Sequence, residues 1–182
     1  MTLSEIIKTG IDPALALLPA KMDTPEARIM LLAIGLQESR FEHRRQLVGN
    51  PPRLAGPAKS FWQAEQGGGM VHGIRLHTAT SAAAALLYQT RGVQALDAAI
   101  WDAIEHDDVL AAGLARLLLW SDPGRLPAVG DEQGAWALYL RTWRPGAYER
   151  GTPGQREELR AKWGRNYAQA VLEVGGGNAA VA

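Results

Sequence analysis

The strongest constraint on the fold is a rhythm of helix starts and stops that runs along the chain and breaks only once. Asp12-Pro13 predicts a short helix, with Asp as N-cap and Pro at the first position, closed by Pro19. Asp23-Thr24-Pro25-Glu26 opens the next in one of two ways. Either Asp23 caps and Glu26 completes a capping box, or Thr24 caps with Pro25 at the first helical position. That helix is expected to run through Ile29, Leu32 and Leu36 to about Arg40. Further helices are expected from Thr80 to Arg91, over 93–105, from Val109 to Trp120 behind an Asp107 or Asp108 cap, and from Asp131 through Trp143. The last runs from about Gln155 to Val174. Its residues Leu159, Trp163, Tyr167, Ala170, Val171 and Val174 form one apolar stripe at three-four spacing. Residues 175–182 read as a frayed tail.

The break falls at residues 42–77, which hold Pro51-Pro52, Pro57 and Gly67-Gly68-Gly69 with little periodicity. This predicts a long loop region with a small hairpin or short helices, and loops of that length in a compact domain are usually functional. No internal repeat or strong strand pattern is present. The expected class is therefore a mainly α single domain of 182 residues, with its core over about 24–174.

Formal net charge is zero, which gives no global electrostatic case for nucleic acid or an anionic membrane; His43-Arg44-Arg45 is a local contact cluster only. With no cysteine, disulfides and thiolate metal sites are excluded. Glu5 and Lys8 interrupt the N-terminus early, and the apolar run Ala14 to Leu18 lies between Pro13 and Pro19, unlike a signal peptide. No stretch approaches the roughly 20 apolar residues of a membrane span.

One carboxylate stands out. Leu31 and Ile34 lie seven and four residues before Glu38, so a helix sets all three on one face. A carboxyl at the end of a buried stripe has its charged form disfavoured and its pKa raised, which suits proton donation near neutral pH. The plainer alternative is a solvated carboxylate at a fraying helix end, paired with Arg40 or Arg44.

The surrounding residues add a resemblance. Leu31 to Phe41 reads LLAIGLQESRF, Ser60-Phe61-Trp62-Gln63 follows Ala55-Gly56-Pro57-Ala58, and Arg165-Asn166-Tyr167 lies near the C-terminus. In order and spacing this resembles the lytic transglycosylases and goose-type lysozymes, whose apolar helix ends in Glu-Ser before an aromatic residue. Their Gly-Leu-Met-Gln loop and C-terminal Arg-Asn-Tyr have counterparts here. The Gln-Glu-Ser-Arg-Phe and Phe-Trp-Gln combination also resembles muramidase-type domains of phage proteins. Two departures stand beside it. Ser60 replaces the loop glycine, and Leu119-Trp120-Ser121-Asp122-Pro123-Gly124-Arg125 occupies the place of the family's Ala-Tyr-Asn-Ala-Gly motif.

The resemblance implies a lysozyme-like fold over about residues 24–174. It implies cleavage of the peptidoglycan glycan strand between N-acetylmuramic acid and N-acetylglucosamine, without metal or cofactor. Glu38 would protonate the glycosidic oxygen and then act as base. Ser39 would orient substrate or the Glu38 turn, Gln63 would hydrogen-bond a sugar, and Phe61 and Trp62 would shape the groove, a buried role being open for each aromatic. Tyr167 would aim its hydroxyl at the Glu38 region. Glu65 is the best second carboxylate, which a hydrolase needs and a transglycosylase does without. Action on cell wall would then require lysis, a holin or a virion. A non-catalytic glycan-binding or virion module is the alternative, motivated by the two departures.

Other signals have simpler readings. Glu105-His106-Asp107-Asp108 lies between two helices and reads as capping. His72 and His77 lack the helical spacing of zinc proteases, and either is free to line the groove. Gly67-Gly68-Gly69 lacks the Lys and Ser/Thr of a phosphate loop. Trp101, Trp136 and Trp163 fall in helical patterns and read as core.

Overall fold

A computed structural model describes residues 1–179. The chain is mainly helical with one two-stranded sheet. Helix α1 (Leu3–Ile6) continues through a widened turn, Ile7–Ile11, into α2 (Asp12–Ala16). The central helix is α3 (Pro25–Glu38). Strands β1 (Arg45–Val48) and β2 (Arg53–Lys59) form an antiparallel hairpin. A second widened turn, Gly69–Gly73, leads into α4 (Ile74–Leu76). Then come α5 (Ser81–Thr90), α6 (Asp97–Ala103), α7 (Asp108–Ser121), α8 (Glu132–Trp143), α9 (Gly146–Glu149) and α10 (Pro153–Ala179).

The N-terminus departs from expectation. Helix begins at Leu3, where the Thr2 hydroxyl accepts from the Glu5 N–H and Glu5 returns a bond to the Thr2 N–H. Asp12 is therefore not a cap. Pro13 follows the widened turn, which accommodates a residue that cannot donate a helical hydrogen bond. The Asp12 carboxylate instead meets Arg28, which also grips Asp23. With Asp23 engaged, Thr24 is the cap of α3, accepting from the Ala27 N–H at 3.2 Å, and Pro25 is the first helical residue. Leu3, Ile6, Ile11, Ala14, Leu15 and Met22 all join the core, which so begins well before residue 24.

Helix α3 is not a striped surface helix. Ala27 and every residue from Ile29 to Gln37 are buried, because α10 and α7 pack against it. A helix apolar around most of its circumference belongs in the centre of a fold. The turn after it is tight. Arg40 and Phe41 both take left-handed backbone, with φ of 56° and 57°. They fold the Phe41 ring back onto Gly35, where a Cβ would lie 2.1 Å from the ring. Phe41 then packs edge-on against Phe61 and Trp62.

Helices α7 and α8 start on predicted caps, while α5 and α6 have no side-chain cap and α10 begins at Pro153, earlier than expected. Asp107 accepts from the Leu110 N–H and Asp131 from the Gly134 N–H. The predicted helix over 93–105 is shorter, at Asp97–Ala103. The predicted frayed tail is helical as far as Ala179, and its last residues, 180–182, lie outside the described residues. Among the described residues no helix is long and apolar enough to cross a membrane.

Because the Phe41 ring occupies the space a side chain would need, Gly35→Ala overpacks the α3 turn. Equilibrium denaturation is expected to show a loss of about 1–3 kcal/mol; an unchanged midpoint would show that the ring moves aside freely.

Candidate active site

Glu38 ends α3 on the floor of an open cleft of about 1500 Å³. One wall comes from the hairpin and the loop behind it, with His43, Gln46, Leu47, Gln63 and Glu65. The other comes from the α8–α9 turn and α10, with Trp143, Arg150 and Lys162.

Glu38 is half-buried, with Tyr139 bonded to its carboxyl and the Lys162 charge nearby. Burial pushes its pKa from an ordinary 4.5 to about 7, against the opposing pull of a Tyr139 hydrogen bond and of the Lys162 charge. Its place at a helix C-terminus disfavours negative charge in the same direction as burial. The Tyr139 hydroxyl donates to Glu38 Oε1 at 2.6 Å. Tyr139 is itself held well above the ordinary phenol range, by burial first and then by the neighbouring carboxylate, so it stays a neutral donor. The plainer reading of Glu38 does not hold. Arg40 pairs with Glu42, and Arg44 makes a two-pronged contact with Asp108 while covering the Phe61 ring.

Helix α10 fixes the base of the site through the residue before the acid. The Gln37 side-chain oxygen accepts from Asn166 Nδ2 at 2.8 Å, and Gln37 Nε2 donates to the Leu159 carbonyl. Lys162 Nζ donates to the Gln37 backbone carbonyl at 2.5 Å. That carbonyl belongs to the last turn of α3, where no helical N–H remains to satisfy it. Burial lowers the Lys162 pKa, with Arg40 and Arg165 adding to the effect and Glu38 opposing it.

The other predicted site residues divide. Ser39 lies beside Glu38, but its hydroxyl donates to the Phe61 carbonyl at 2.7 Å and accepts from the Phe41 N–H, so it latches the two turns together. Gln63 and Glu65 line the cleft, Glu65 on an exposed loop. Phe61 and Trp62 do not shape the groove. They are 1% and 0% exposed, and Trp62 Nε1 donates to the Leu31 carbonyl in the core. Tyr167 does not aim at Glu38. Its hydroxyl accepts from the Gly130 N–H, holding the loop before α8. Neither His72 nor His77 faces the cleft. His72 meets Asp97, and the His77 ring accepts from the Ala79 N–H. Asp122 accepts from the Gly124 N–H and pairs with Arg141, so the Leu119–Arg125 segment ends α7 rather than walling the site.

Three residues escaped the sequence reading, Lys162 among them, since a single lysine on the long α10 carries no local pattern. Tyr139 is the one hydroxyl-bearing aromatic on the buried face of α8, and a buried phenol needs a partner, which was the available signal. Trp143, at the end of the same helix, anchors its Nε1 on the Trp62 carbonyl and lines the cleft.

The loop at Ser60 shows how a serine stands where the resemblance expects glycine. Its φ is 65°, a left-handed value, and its Oγ accepts from the Trp62 N–H. That local bond supports a conformation glycine adopts without cost.

Comparison with protein-family models, with curated proteins and with solved structures finds no match to this chain.

Two outcomes test the electrostatics. A carboxyl of pKa about 7 when folded and about 4.5 when unfolded keeps in the folded state a proton that the unfolded chain gives up, so stability falls as pH rises through that window. Glu38→Gln removes the titration. The variant is expected to gain on the unmodified protein by on the order of 1–3 kcal/mol between about pH 4.5 and 7. A pH-independent difference in unfolding free energy would contradict it. Tyr139→Phe removes the bond that favours the carboxylate. The Glu38 pKa, followed by carbon NMR of the side-chain carboxyl, is expected to rise further, and a fall would refute the assignment of that bond.

Proposed function

We propose that the protein is a lysozyme-like glycosidase that cleaves the peptidoglycan glycan strand between N-acetylmuramic acid and N-acetylglucosamine, with Glu38 as general acid and base. The observation that carries this reading is a carboxyl of pKa about 7 lining an open cleft, held by a neutral phenol. A sugar alkoxide is a poor leaving group until protonated, and an acid with a pKa near the working pH both holds and releases a proton efficiently. The order of the Glu-Ser-x-Phe, Phe-Trp-Gln and Arg-Asn-Tyr segments supports the same reading.

The Tyr139 bond occupies Oε1, so Oε2 is the oxygen that carries the transferable proton. Glu38 gives that proton to the glycosidic oxygen as the bond to the anomeric carbon breaks. The carboxylate so formed keeps the Tyr139 bond and lies near the Lys162 charge, both of which favour it. It then takes a proton from the group that attacks the anomeric carbon. Attack by water completes a hydrolysis, and attack by the sugar's own 6-hydroxyl closes an anhydro ring. Glu65, which lines the same cleft, is the carboxylate that would assist water; the anhydro route needs none. Trp143 offers the cleft an aromatic edge against sugar faces.

Glu38→Gln is expected to lower the release of soluble muropeptides from purified sacculi by at least about a hundredfold while leaving the circular dichroism spectrum unchanged. Retained activity would overturn the reading. Mass spectrometry of the products assigns the second step, since 1,6-anhydro ends mark a transglycosylase and reducing ends a hydrolase.

A further inference from the structure

Zero net charge conceals a local imbalance. The cleft is lined by Arg40, Arg45, Arg144, Arg150, Lys162 and Arg165 against Glu38, Glu65, Glu149 and Glu158. Arg45 faces Glu105 at 3.8 Å, which compensates the hairpin wall. Beside Glu38 the compensation fails. Arg40, Lys162 and Arg165 lie close enough that both arginines depress the ionisation of Lys162. Arg40 has one exposed partner, Glu42, at 3.4 Å. Lys162 and Arg165 form no ion pair among the described residues, and Lys162 contacts only the Gln37 carbonyl.

The Gln37 contact explains where the Lys162 ammonium sits, but it leaves the charge without a counter-ion. Lys162 is half-buried and its fixed contact is to a neutral carbonyl; around it Arg40 and Arg165 stand against Glu38, which burial keeps largely protonated below about pH 7, and Glu42, which pairs with Arg40. Like charges held together in partly desolvated surroundings repel, and an anion placed among them removes that repulsion. Arg165 stands one turn along α10 from Lys162, so both side chains reach the same stretch of cleft. Left-handed backbone at Arg40 starts the turn that sets its side chain on the cleft lining beside the acid.

We propose that Arg40, Lys162 and Arg165 form an anion subsite beside Glu38 that takes a carboxylate carried on the glycan strand. The proposal rests on the glycosidase reading above and adds a selection rule to it: anionic strands are preferred to neutral ones of the same backbone. Two carboxylates on such a strand share this chemistry, the lactyl group of the muramyl sugar once its peptide is removed, and the acidic residues of an attached stem peptide.

The test measures binding to the Glu38→Gln protein, in which turnover of the ligand is expected to be at least about a hundredfold slower. Three probes are titrated at low ionic strength: a neutral chito-oligosaccharide, glycan strands stripped of peptide by an amidase, and soluble strands with stems intact. At least one anionic strand is expected to bind about tenfold more tightly than the neutral oligomer, with the preference lost near about 1 M salt. Preference kept by stripped strands assigns the lactyl carboxylate; preference confined to stemmed strands assigns the peptide. Adding Lys162→Gln and Arg165→Gln is expected to bring the ratio close to one. Arg165→Glu, an exposed change on a helix surface, is expected to do the same without touching the Gln37 contact. An unchanged ratio in both variants, or equal binding of all three probes, overturns the subsite and leaves the glycosidase reading standing. Binding of none of the three overturns both.

Discussion

The site depends on the burial of one helix. Helix α3 is enclosed along nearly its whole length, and Glu38 is where it emerges. Burying a carboxylate is costly, so the group responds by holding its proton, and the raised pKa follows from the packing. A solvent-facing helix with the same Glu-Ser ending would carry an ordinary carboxylate. The apolar residues before Glu38 therefore set its chemistry as much as the groups that touch it.

Keeping the carboxyl in place requires the chain to leave the helix at once. Gly35, the left-handed pair Arg40-Phe41 and the Ser39 latch to the Phe61 carbonyl achieve this within one turn. The same aromatic cluster fixes the loop carrying Gln63, so the floor and one wall share their packing. Helix α10 supplies the opposite support. Asn166 and Lys162 both engage Gln37, one residue before the acid, and a shift of α10 would be felt at Glu38.

Much of this was legible in the sequence, and the failures have physical causes. Local chemistry narrows the α3 start to Asp23 or Thr24 and the α7 cap to Asp107 or Asp108, names Asp131 for α8, and leaves a hairpin or short helices after α3; packing chooses among them, as where Arg28 engages Asp23 and leaves Thr24 to cap. The stripe on α10 was readable because its spacing is long and regular. Aromatics were not: Phe61, Trp62 and Tyr167 have the composition of a sugar platform and of a core alike, and only packing separates the two. Tyr139 was missed for the converse reason. Its neighbours mark it as buried, but the partner of its hydroxyl lies 101 residues away in sequence, where no local pattern reaches. The α1 start was hidden because Asp12-Pro13 imitates a helix opening while Thr2 and Glu5 form the real one.

The influences on Glu38 oppose each other, and one of them links substrate to proton. Burial raises the pKa, while the Tyr139 hydrogen bond first and the Lys162 charge second pull it down. Lys162 is also discouraged from carrying that charge by its own burial and by Arg40 and Arg165. An anion received among these three cations would screen the pull of Lys162 on Glu38, and the acid would then hold its proton more firmly. Under the proposed reading, an anionic strand would thus bind the protonated enzyme better than the ionised one, and by linkage would itself favour the protonated form that begins the reaction. A neutral strand would leave that balance where burial, Tyr139 and Lys162 had set it. The cationic cluster and the buried acid then act as one device, with the charge on the substrate adjusting the group that cleaves it.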